Sequence, residues 1–127
     1  MARPPAKELT ERELEVMHEF WKLGDATVAD VREALAAGGL DRAYTTVATL
    51  VKILVDKQFI RQTNDERPFR FRPVRSYEDV SGKLLGELVK RVFQGSREQL
   101  LVRLIEQRKL SDKERELLRK VLKEEQR

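Results

Sequence analysis

Within residues 43–73, AYTTVATLVKILVDKQFIRQTNDERPFRFRP, the apolar positions change from a helical to an extended period. On a wheel, Val47, Leu50, Val51 and Leu54 fall within about 100° of arc, so a helix over 43–57 has one face for a core. Beyond it, Phe59 and then Phe69 and Phe71 recur at strand period around a polar NDERP turn, predicting strands at 59–63 and 69–72. Pro73 ends the second strand. A helix, a strand, a tight turn and a strand in that order are what a winged helix-turn-helix needs.

The flanking sequence supplies more helices. Thr10 and Glu13, Thr27 and Asp30, Ser76 and Asp79, Ser96 and Gln99, and Ser111 and Glu114 each place a hydroxyl three residues before an acid or amide. A hydroxyl so placed accepts from an orphan N–H at a helix start, and the third residue reaches back. The first helix covers 10–23, with Leu14, Met17, His18 and Trp21 on one stripe, and Gly24 stops it. The second covers 27–37, burying Val28, Val31 and Leu35 before Gly38-Gly39, and a brief strand near 26–28 extends the sheet. Three more helices follow at 76–93, 96–109 and 111–124.

The fold class is therefore mainly α with a small antiparallel sheet. Residues 1–75 form a winged helix-turn-helix domain, and 76–127 form a helical dimerisation domain. Val80, Leu84, Leu88 and Val92 recur every four residues in the fourth helix. Leu100, Leu101 and Leu104 follow in the next, then Leu117, Leu118 and Val121 in the last. These 52 residues are near the size at which one chain's core is marginal, so the wide stripes predict a homodimer.

The face of the third helix opposite its core carries the functional signal. Thr45, Thr49, Lys52 and Asp56 lie outward, Thr46 sits on the flank, and Arg42 and Tyr44 stand at the start. Short hydroxyl side chains let a helix approach the major-groove floor, where their methyls meet thymine methyls and their hydroxyls meet base edges. Threonine is a poor helix former for a merely solvated face. In the hairpin, Phe69 and Phe71 point inward, which leaves Arg70 and Arg72 on the other face and Arg67 at the turn, with Arg61 and Arg75 added, to clasp phosphates. The charge agrees: 8–41 holds three basic and nine acidic residues, whereas 42–75 holds eight basic and three acidic. Double-stranded DNA is the expected partner.

Other chemistries find no support. The chain lacks cysteine, which excludes disulfides, thiolate metal sites and cysteine nucleophiles. His18, the only histidine, sits on an apolar stripe and reads as a packed core residue. No Gly-rich phosphate loop or Ser/His/Asp grouping occurs, so no catalytic residues, cofactor or metal are expected. No apolar run reaches the roughly 18–20 residues of a membrane span, and nothing resembles a signal peptide, so a cytoplasmic protein is expected. The MARPPAK start reads as a loosely ordered arm.

The segments LTERELEVMHEFWKLG, TVADVREAL, AYTTVATLVKILVDKQFI with RPFRFRP, and VFQGSREQLLVRLIEQRKLSDKERELLRKVL come in an order that resembles the penicillinase-repressor (BlaI/MecI/CopY-type) family of bacterial winged-helix regulators. The resemblance covers about residues 9–122. It implies a cytoplasmic homodimer that binds palindromic operators, often with TACA/TGTA-like half-sites, and represses resistance or stress genes. Thr46 matches a base-contacting threonine of the family, and Ala48 stands where other members carry a base-contacting arginine. Copper-responsive members end in metal-binding cysteine pairs, which this chain does not have. Antibiotic-responsive members are cut by a membrane sensor protease in the helix matching 96–109, and the matching bond here is Arg103-Leu104. Two further readings stand beside the repressor: a ligand-responsive regulator with a pocket between wing and helical region, and a helical protein–protein adaptor.

Overall fold

The computed structural model describes residues 8–126; the MARPPAK arm lies outside them. The chain divides into two compact units, Met1–Ser81 and Gly82–Arg127.

In the first unit, α1 (Glu11–Leu23) starts at a complete capping box. The Glu13 N–H donates to the Thr10 hydroxyl at 3.2 Å, and the Thr10 N–H donates to the Glu13 carboxylate at 3.0 Å. The buried stripe of α1 is Val16, Met17 and Phe20, joined by Glu13. It is rotated from the expected one, because Phe20 outcompetes His18 for the interior. His18 is exposed, which corrects the packed-core reading. Its ring lies at the open edge of α1, 5.4 Å from Trp21 and 6.2 Å from Tyr77 between centroids.

Two-residue β1 (Ala26–Thr27) leads into α2 (Val28–Ala37), which Thr27 and Asp30 cap reciprocally. After the glycine turn comes α3 (Tyr44–Asp56), whose Val47, Val51 and Leu54 are buried, with Leu50 partly so. The three helices share one core with Phe59, Ile60 and Phe71 of the hairpin. Each large apolar side chain fully buried there contributes about 1.5–3 kcal/mol.

The hairpin is β2 (Ile60–Gln62) and β3 (Arg70–Pro73), and the sheet is antiparallel in the order β1-β3-β2. Both strands are shorter or later than the aromatic pattern suggests. Phe59 is taken up by the end of α3: its N–H donates to Leu54 O at 2.9 Å after Gln58 turns at φ 65°. The loop between the strands is stitched by Asn64, whose Oδ1 accepts from the Arg70 N–H at 2.7 Å and whose Nδ2 donates to Glu66 O and Pro68 O.

Helix α4 (Tyr77–Val92) begins in the first unit. Tyr77 stacks edge-on against Trp21 at 5.3 Å, the Trp21 indole donates to Arg75 O at 2.9 Å, and Val80 is buried in the shared core. The two compact units meet after Ser81, within α4. Val80, expected on a dimer face, is instead a core residue of the first unit, since it closes α4 onto the helices below.

The second unit contains the rest of α4 with α5 (Arg97–Gln107) and α6 (Asp112–Glu125). Ser96 caps α5, and Ser111 with Glu114 caps α6 reciprocally. No residue from 82 to 126 is buried. Leu84, Leu88, Val92, Leu101, Leu104, Leu117, Leu118 and Val121 are exposed, and Leu100 is half-buried. Leu85, Val102, Ile105 and Leu122 are exposed beside them. No helix among the described residues is long and apolar enough to cross a membrane.

Candidate nucleic-acid interface

Helix α3 differs from its neighbours at its start. The hydroxyls of Thr10, Thr27, Ser76, Ser96 and Ser111 cap the other helices of the chain. By contrast, Ala43 stands before α3 with no side-chain cap, and no acid lies in its first turn. The orphan N–H groups and the positive end of the helix dipole are left for an outside anion.

The burial of Val47, Val51 and Leu54 turns Thr45 and Thr49 outward into solvent. Thr49 donates its hydroxyl proton to Thr45 O at 2.9 Å, which leaves its lone pairs and methyl facing out. Thr46 sits half-buried on one flank, and neither it nor Thr45 makes a side-chain hydrogen bond within the described residues. Tyr44, Ala48 and Lys52 recur on the other flank, which faces the wing.

A groove of about 960 Å³ separates that flank from the hairpin. Its α3 wall is Tyr44, Ala48, Val51, Lys52 and Val55; its hairpin wall includes Gln62, Arg67, Phe69 and Phe71; Thr27 and Val28 close one end. The Arg67 guanidinium lies 5.3 Å from the Phe69 ring centroid, a cation–π contact that holds it near the groove. Tyr44, Lys52 and Arg67 are thus brought together.

Three other expected DNA contacts are not. Arg42 turns back into the fold: its Nη2 meets both Glu15 oxygens at 3.0 and 3.1 Å, its carbonyl accepts from Arg32 Nε, and its own Nε is buried without a partner. It braces α1 against the segment entering α3. Arg70 is likewise engaged, with Nε on Asp25 Oδ1 and Nη2 on Asp25 O, both at 3.0 Å. Because Phe69 and Phe71 line the groove, strand alternation puts Arg70 and Arg72 on the opposite face of the hairpin. Arg72 there faces Arg61 directly across the strands, away from α3. The alternation in the sequence separates the arginine face from the phenylalanine face but does not say on which side of the hairpin α3 lies.

Sequence reasoning missed a buried contact at the end of α3. Lys57, just past its last turn, donates to Glu13 Oε1 at 2.7 Å and to Glu8 O at 2.8 Å. The two side chains are only 10% and 6% exposed. Burial works against the charge on Glu13, but hydrogen bonds from Lys57 and Thr10 outweigh it and hold the carboxyl below its ordinary value. The only trace in the sequence was Glu13 in its capping box, which reads equally as a cap and nothing more.

Comparison with known proteins adds an independent line. The family model described as Penicillinase repressor matches residues 9–124. The chain is 35% identical over 118 residues to a protein of Mycobacterium tuberculosis named transcriptional regulator BlaI, covering 91% of this chain and 83% of that one. It is 27% identical over 115 residues to methicillin resistance regulatory protein MecI of Staphylococcus aureus, covering 91% of this chain and 93% of that one. The MecI of Mammaliicoccus sciuri matches at the same 27% identity.

Proposed function

The chain belongs to the penicillinase repressor family, and from that premise we propose that it acts in the cytoplasm as a homodimer on a two-fold DNA operator. The disposition of α3 carries this reading. Its uncapped start, outward threonines and flanking Lys52 and Arg67 make one surface that fits a major groove and its phosphates. Thr45, Thr46 and Thr49 read base edges; Lys52, Arg67, Tyr44 and the α3 N–H groups hold the backbone. Two α3 helices enter successive major grooves with centres about 34 Å apart, and the bound dimer blocks polymerase.

The second copy is supplied by the helices from residue 82 onward. Forty-odd residues with no buried side chain and a broad leucine face have nothing to exclude water within one chain. A second copy of the same face covers it.

For release we propose cleavage by a membrane sensor protease at Arg103-Leu104. Both residues are exposed yet lie inside α5, so the bond is presented only when α5 unwinds locally. The cut separates Leu117, Leu118 and Val121 from the remaining half of the interface.

Selection of bound sequences from random duplexes tests the DNA reading. A symmetric site is expected, and Thr46→Ala relaxes its sequence without a matching loss of non-specific binding. Lys52→Ala and Arg67→Ala weaken all duplexes alike and each flatten the log K against log salt slope, by about 0.9 for each phosphate no longer neutralised. An enriched pool without symmetry sinks the proposal.

A further inference from the structure

The groove between α3 and the wing has a lining that nucleic acid does not explain. A phosphodiester seeks cations and N–H donors, yet the walls are largely Val28, Ala48, Val51, Phe69 and Phe71. Ala48 leaves the α3 wall low, and Val51 and Phe71 form an apolar floor. At about 960 Å³ the hollow has the size of a small-molecule site. Two cations stand on opposite walls, Lys52 on α3 and Arg67 on the hairpin, and neither has an acidic partner among the described residues. Apolar walls facing a pair of uncompensated cations match one kind of molecule: an aromatic or branched apolar body that carries a carboxylate.

We propose that this groove binds a small amphipathic organic anion, and that the bound anion competes with DNA. The apolar body covers Ala48, Val51 and Phe69, while the carboxylate takes the ammonium of Lys52 and the guanidinium of Arg67. These are the two cations that the operator reading assigns to phosphates, so a filled groove and a bound operator exclude each other. The competition rests on that reading; occupancy of the groove does not. A regulator built this way senses a metabolite directly, with no cut in α5.

The test uses 2-naphthoate and its uncharged analogue 2-naphthalenemethanol on the full chain. Calorimetry is expected to show 2-naphthoate binding below millimolar, and the alcohol about tenfold more weakly. Amide shifts in NMR concentrate in residues 44–55 and 62–71. Lys52→Met combined with Arg67→Met weakens 2-naphthoate by about tenfold or more, whereas Lys113→Met in α6 leaves it unchanged. Added to a complex with a selected duplex, 2-naphthoate raises the apparent Kd for DNA in proportion to its own occupancy. The idea is overturned if the alcohol binds equally well, if the shifts fall in residues 82–126, or if the double substitution has no effect. Should the chain bind no selected duplex while 2-naphthoate still fills the groove, the operator reading fails and the ligand site stands.

Discussion

Replacing Glu13 with glutamine isolates the contact that ties α1 to the end of α3. The amide keeps an oxygen for the Thr10 N–H, so the cap survives while the negative charge is removed. Lys57 is then a cation with a side chain only 10% exposed, left with the Glu8 carbonyl at 2.8 Å and an uncharged amide. Breaking a buried pair costs about 3–5 kcal/mol, and the retained acceptors bring this case nearer about 2–3 kcal/mol. For a module of this size that lowers Tm by roughly 10–20 °C. Trp21 is the only tryptophan, and its indole N–H bonds within the first unit, so its fluorescence follows that unit in a urea titration. Protein concentration must be fixed, because the proposed dimerisation would shift the midpoint. Adding Lys57→Met removes the stranded charge and should restore more than half of the stability. The pH profile gives a second check. Because the folded carboxyl titrates below its ordinary value, its contribution is present above the ordinary carboxylate range and disappears as pH falls through the folded value. The gap between wild type and Glu13→Gln therefore narrows below about pH 4. A destabilisation under about 0.5 kcal/mol, or no recovery in the double variant, refutes the reasoning.

Other perturbations separate the roles of neighbouring residues. Arg70→Ala should destabilise the first unit modestly, by about 1 kcal/mol or less for a half-exposed pair, and leave the salt slope of DNA binding as it was. Val80→Asp should unfold the first unit in the Trp21 assay, whereas Leu88→Asp should leave that unit folded and give a monomer in analytical ultracentrifugation. Gly82→Ala and Gly86→Ala should each stabilise α4 by about 0.5–1 kcal/mol, since an added Cβ meets nothing within 4 Å in the chain; a failure to dimerise instead would reveal a close helix approach there.

Local chemistry is legible in this sequence, and tertiary choice less so. Each of the five hydroxyl caps is in place, because a cap depends only on residues three apart. The order of helices and strands follows from periodicity for the same reason. The phase of α1 is not legible, because Leu14, Met17, His18, Trp21 and Val16, Met17, Phe20 are both spaced for a helix face. Only the partner surface decides between them, and it selects Phe20. Val80 misleads similarly: its four-residue rhythm with Leu84 and Leu88 is real, but the helix passes from one unit to the next within a single turn. In the site, the outward threonines can be read from the wheel, while the partners of Arg42 and Arg70 lie 27 and 45 residues away and leave no local trace.

The reversal of charge near residue 42 therefore has two causes. Of the basic residues that follow it, Arg42, Lys57 and Arg70 pair with Glu15, Glu13 and Asp25, all from the acidic segment before it. Part of the asymmetry is a set of ion pairs that fasten α1 and the residue before β1 to the two ends of α3 and to the wing. Arg75 is also occupied, its guanidinium 4.8 Å from the Phe59 ring centroid and its Nε donating to Gln58 O. What remains without an acid among the described residues is Lys52, Arg61, Arg67 and Arg72, and only Lys52 and Arg67 share the groove with α3. On the proposed reading, two such cations per protomer would give the dimer a salt slope of about −3.6, far shallower than eight basic residues per chain would suggest. Specific binding in that proposal then depends more on the threonines of α3 and on shape than the isoelectric point implies.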